Sequence, residues 1–177
     1  MTVRMKRSLC LLFALVPLFC LCSCGNDEKS VKEIISAMSA AEKNAPAGKI
    51  YLSYAVPGEA EYISEKLVTA LFGDGKVPAA LEVVDSFAVR LSSFAANYEY
   101  AVFKAKTTDD TAEIAKMLRR RADAVKKYAG IKKDNGNTSS DDPAEIFISG
   151  KFVVLLITSD NTSMRTAANS AIRSAGR

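Results

Sequence analysis

The chain reads as one small α+β domain: two N-terminal helices followed by β-β-α-β-β-α, with a four-stranded, mainly antiparallel sheet. Three observations predict this class. Apolar residues recur at helical spacing over the first third of the domain, from Val31 onward. The period then switches to two at Phe87. Two strand-turn-strand patterns follow, each leading into an amphipathic helical pattern, and that order favours helices packed on one side of a sheet.

The elements follow in order. Ser30 caps a helix and Glu33, three residues on, completes a capping box; Val31, Ile34, Ile35, Met38 and Ala41 form its stripe, and Pro46 lies just past its end. Residues 50–56 make a short strand or an extended link, stopped by Pro57-Gly58. A second helix spans 59–72, with Ile63, Leu67, Ala70 and Leu71 on one side, and Gly73 and Gly75 ending it. Phe87, Val89 and Leu91 alternate with Ala88 and Arg90 as a strand. Residues 98–106 alternate again, placing Ala101, Phe103 and Ala105 on one face, so that 92–97 closes an antiparallel hairpin. A long helix covers 110–129, with Asp110 and Glu113 spaced as a capping box. Residues 131–143 are a polar, mobile loop rich in Asp, Asn, Gly and Ser. Residues 145–149 and 152–158 pair around Gly150-Lys151, and the unbroken apolar run Val153 to Ile157 indicates a central strand covered on both faces. An alanine-rich helix from Asp160 closes the domain with Met164, Ala167, Ala168, Ala171 and Ile172 as its stripe.

Ahead of this domain, residues 1–23 have the three parts of a lipoprotein signal: basic Arg4, Lys6 and Arg7, an apolar segment from Leu9 to Leu21, and the box Leu21-Cys22-Ser23-Cys24. The apolar segment is shorter than the ~20 residues a membrane-crossing helix needs, and Pro17 interrupts it. Cys20 follows Phe19 and Cys22 follows Leu21, whereas Cys24 follows the small Ser23, so Cys24 is the residue expected to carry lipid. Met5 also begins a well-formed signal. Cys24 and residues 25–29 then form a polar tether to a domain over 30–177.

Composition narrows the chemistry. All four cysteines lie at or before position 24, which leaves the domain without disulfides or a free thiol nucleophile. Three of the 24 basic side chains are in the signal, and the rest nearly balance the 20 acidic ones, so there is no global field to attract nucleic acid. The absence of histidine removes the usual general base and the commonest metal ligand. Ser-x-x-Lys does not occur either. No catalytic residues, no metal site and no cofactor are therefore expected.

Arg121 breaks its pattern. On a helical wheel it falls within the apolar face defined by Ile114, Leu118, Ala122 and Val125, whereas Arg119 and Arg120 point outward. A guanidinium removed from water requires a carboxylate held at two points. Glu99 shares a strand face with Ala101 and Phe103, and a Glu99–Arg121 ion pair joining helix to sheet is the expectation, structural rather than catalytic in role. Lys116, Arg119, Arg120, Lys126, Lys127, Lys132 and Lys133 make the long helix locally basic; this suits contact with anionic headgroups or wall polymers, or simply a solvated face. In the pairs Asp109-Asp110 and Asp141-Asp142 neighbouring side chains diverge, and the first pair serves a helix start; the oxygen-rich run Asp134-Asn135-Gly136-Asn137 lacks the alternate-position spacing of a calcium loop. Gly150-Lys151 lacks the glycine spacing of a phosphate loop and reads as a turn.

The segment 98–158 resembles a family of uncharacterised bacterial lipoproteins carrying a C-terminal domain of unknown function. The carrying residues are Glu99-Tyr100-Ala101-Val102-Phe103-Lys104-Ala105-Lys106, the helix with Arg121, and Ile148-x-Gly150-Lys151-Phe152-Val153 leading into Ser159-Asp160. The resemblance implies a lipobox, a tether and a small α+β domain, and no activity. The expectation is a lipid-anchored extracytoplasmic protein, non-enzymatic, held on the membrane through Cys24 and binding an envelope protein or polymer. The alternatives are a carboxylate-dependent enzyme or accessory factor acting on envelope material, and a structural subunit of a membrane complex.

Overall fold

The computed structural model describes residues 30–42, 45–93, 98–134 and 144–174, with the backbone alone over 129–134. The signal, Cys24, the tether and residues 135–143 lie outside the described residues. The fold is α+β, and its sheet has five antiparallel strands rather than four, in the order β1-β2-β3-β5-β4. Helix α1 covers Val31–Ala41, β1 Gly48–Leu52, α2 Glu65–Phe72, β2 Val84–Ser92, β3 Glu99–Ala105, α3 Thr111–Asp134, β4 Glu145–Ser149, β5 Phe152–Ile157 and α4 Asn161–Arg173.

The fifth strand is β1, which separates the two helices expected to be adjacent. It pairs with β2 from Gly48↔Ser92 to Leu52↔Ala88. The link reading fails because Tyr51 packs toward one face of the sheet while Ile50 and Leu52 pack toward the other, so the segment contributes to both cores. Helix α2 begins six residues later than expected. Ser64 caps it by accepting from the Leu67 N–H at 3.2 Å, while residues upstream bridge Leu52 to Tyr62. Its buried face is Val68 and Phe72, with Leu67 and Leu71 half-buried and Ala70 exposed. Helix α3 continues through Asp134, so the first four residues of the expected loop are helical. At its start the Asp110 carboxylate accepts from the Thr107 N–H and hydroxyl, at 2.9 and 2.7 Å, closing the preceding turn. The capping box of α1 is formed, Ser30 Oγ accepting from the Glu33 N–H and Glu33 accepting from the Ser30 N–H.

Helices cover both faces of the sheet, not one. On one face α2, α3 and a 3₁₀ turn over Ala79–Val83 enclose Phe87, Val89, Ala101, Phe103, Val153 and Leu155. On the other, α1 and α4 pack over Ala88, Tyr100, Val102, Val154 and Leu156. The central strands demand this: β5 is buried at every position, and β3 at all but Lys104. A central strand with apolar side chains on both sides needs two layers to remove them from water. A stacked Phe87–Phe103 pair, capped edge-on by Phe72, anchors the α2–α3 face. Gly150, at φ +58°, allows the two-residue turn that joins β4 to β5.

Candidate functional site

The described charged residues of interest collect at one end of the sheet, where β2 ends and β3 begins. Leu91 pairs with Glu99 there and Arg90 with Tyr100. Successive strand residues point to opposite faces, so Glu99 is directed at α3, and Arg90 and Tyr100 at α1 and α4.

On the α3 side, Arg121 Nε donates to Glu99 Oε1 at 2.8 Å and Nη2 to Oε2 at 2.5 Å. This is the two-point geometry in which a guanidinium best matches a carboxylate. Glu99 is only 3 % exposed, and the Arg121 side chain 17 %. The pair floors a groove of about 410 Å³ walled by Leu71, Leu91, Val125 and Tyr128. Tyr128 is half exposed at the rim. A larger hollow of about 620 Å³ is lined, among the described residues, only by the polar outer side of α4, and brings no two elements together.

On the opposite face lies a second cluster that sequence reasoning did not find. Arg90 is 8 % exposed, and its Nη2 donates to the Pro46 carbonyl at 2.5 Å. Its guanidinium lies 5.7 and 5.5 Å from the ring centres of Tyr98 and Tyr100. Among the described residues, Arg90 Nη1, the Tyr98 hydroxyl and Glu42 Oε2 are buried and find no hydrogen-bond partner. Glu42, at the end of α1, has its carboxyl pushed above the ordinary range by burial, against the pull of Arg90 and with the repulsion of Asp160. Burial also raises the Tyr100 phenol, partly countered by its hydrogen bond with Ser39 at 2.5 Å and by Arg90. The hydrogen bonds from Ser163 lower Asp160, the cap of α4.

Among the described residues no group of histidine, cysteine and acidic side chains has the arrangement of a metal site, and no helix is long and apolar enough to cross a membrane. Asp109 and Asp110 lie in the turn before α3, and Lys151 in the β4–β5 turn. Neither joins the groove. What the groove offers chemically is contact: apolar walls, an aromatic rim and a floor already neutralised by its own partner. No family model, curated protein or solved structure matches the chain.

Proposed function

We propose that the protein is a lipid-anchored, extracytoplasmic, non-enzymatic binding module, held by lipid on Cys24 and engaging an envelope partner through the groove above Glu99 and Arg121. The observation that supports it is the groove itself. Its ion pair is bidentate and internally satisfied, so the polar floor is preorganised. Its walls supply apolar area for contact. The box at 21–24 supports the anchor.

Two measurements test the reading. Metabolic labelling with a palmitate analogue should mark the wild-type chain and not Cys24→Ser, which should also leave the membrane fraction; continued attachment of the variant removes the anchor. Material copurifying with the protein from solubilised membranes should be lost on Tyr128→Asp at the groove rim. Unchanged recovery would move the binding surface elsewhere.

A further inference from the structure

We infer that the chain associates with a second copy of itself through the outer edge of β4, in a two-fold dimer that joins the two sheets into one.

The phase of the strand pairing identifies the free edge. The Ala105 N–H donates to the Lys151 carbonyl at 2.9 Å, one step beyond the Lys104↔Phe152 pair. Val153, Leu155 and Ile157 therefore bond toward β3, and Phe152, Val154 and Leu156 toward β4. The partners of the latter are Ser149, Phe147 and Glu145. The N–H and C=O groups of Ile146 and Ile148 thus point away from the sheet, and among the described residues nothing bonds to them. Strand β4 also lacks the devices that keep an edge from pairing: it has no Lys, no Pro and no register shift.

The opposite edge is guarded. Ser93 donates to the Ala47 carbonyl and Ser53 to that of Phe87, which turns Gly48, Ile50 and Leu52 outward on β1. The Leu52 N–H is already taken by the Glu61 carbonyl at 2.9 Å, Leu52 bridges to Tyr62, and Lys49 stands exposed within the strand. One open edge and one guarded edge give association that closes at two copies rather than a growing ribbon.

The occupant is a second copy because the edge is complementary to itself. A two-fold axis at Phe147 sets Ile146 opposite the partner's Ile148 and Glu145 opposite the partner's Ser149, and pairs β4 over its whole length. Both isoleucines then bond through their outward main-chain groups. No like charges face one another, and the Glu145 end of each strand lies beside the partner's Lys151, in its β4–β5 turn. Parallel pairing would instead set the two Glu145 ends together. The apolar surface matches as well. Ile146 packs on the α2–α3 core, whereas Ile148, on the same side of the strand, is 49 % exposed. The dimer lays the partner's Ile146 against it. None of the residues lining the groove is used, so the association stands apart from the proposed binding role.

The test is the mass of the full chain in mild detergent, read by sedimentation equilibrium. A dimer is expected at roughly 100 μM, and Ile148→Lys should weaken it about tenfold or more. Ile148→Pro, which removes an outward N–H, should act likewise, and thermal melts followed by circular dichroism check that both variants fold. In this register residues 145 and 149 of opposite chains form a non-hydrogen-bonded pair with Cα atoms about 4.5 Å apart, within disulfide reach. Mild oxidation of Glu145→Cys/Ser149→Cys should therefore give an interchain 145–149 bridge, found by peptide mapping and absent from either single variant. A monomeric wild type, a dimer unchanged in the folded Ile148 variants, species larger than two copies, or no 145–149 bridge would each overturn the proposal.

Discussion

The two faces of the sheet each bury an arginine at the same end, and they satisfy it in opposite ways. Arg121 gives two nitrogens to one carboxylate whose oxygens are both used. Arg90 gives one nitrogen to a backbone carbonyl, rests against two tyrosine rings and, among the described residues, leaves Nη1 unbonded, with Glu42 close enough to feel its charge. Burial alone therefore does not tell what a charged residue does. The first is a joint between helix and sheet. The second is a charge accommodated by aromatic faces and a carbonyl.

Cutting the joint should have the largest effect. Glu99→Gln and Arg121→Met should each cost about 3 kcal/mol, because either leaves a largely desolvated charge behind. The double variant should lose at least about 1 kcal/mol less than the sum in denaturant unfolding. Additive losses would mean the pair is a contact without coupling. Next comes the wall of the second cluster. A Cβ on Gly48 would stand 2.5 Å from the Leu91 carbonyl and 3.1 Å from Arg90 Cζ. Gly48→Ala should therefore destabilise by about 2 kcal/mol as β1 is pushed off its neighbour. Arg90→Met should cost only about 1 kcal/mol, since the lost carbonyl bond and ring contacts are offset by removing an unbonded buried donor. A cost equal to that of Arg121→Met would erase the distinction between the faces.

The smallest effect is in the pH profile. The folded state holds the Glu42 proton more tightly than the unfolded chain, whose value is 4.5. Folding is thus favoured at pH below that value and loses stability as pH rises through the raised folded value. Asp160 has the opposite sign: its depressed carboxyl stabilises above 3.8, and that contribution is lost as pH falls through the folded value. Glu42→Gln should flatten the decline above pH 4.5, and Asp160→Asn the loss in stronger acid, both read as denaturation midpoints against pH. A wild-type decline retained in Glu42→Gln would assign it to another group.

The same comparison explains what could be read from sequence. Arg121 stood out because one charged residue interrupted an apolar helical stripe, and strand parity directed Glu99 toward it. Arg90 did not, because alternation with Phe87, Val89 and Leu91 is also the pattern of a strand with one face in water. Only the second helical layer makes that face an interior, and layers are tertiary facts. Strand β1 was obscured for a related reason. Its five residues are too few for alternation to separate a strand from a link, and the pairing with β2 that decides the matter is remote in sequence. The late start of α2 was legible in Ser64, a good cap, but Glu59 after Pro57-Gly58 offered an earlier competitor.

The packing of α1 against α4 has one more consequence. Together these helices cover one whole side of the sheet, and 119 positions separate the end of α1 from the start of α4. That side stays open to water until α4 is delivered, however early the hairpins pair. A chain emerging from its amino end would therefore remain unfinished on this side until nearly all of it had been made.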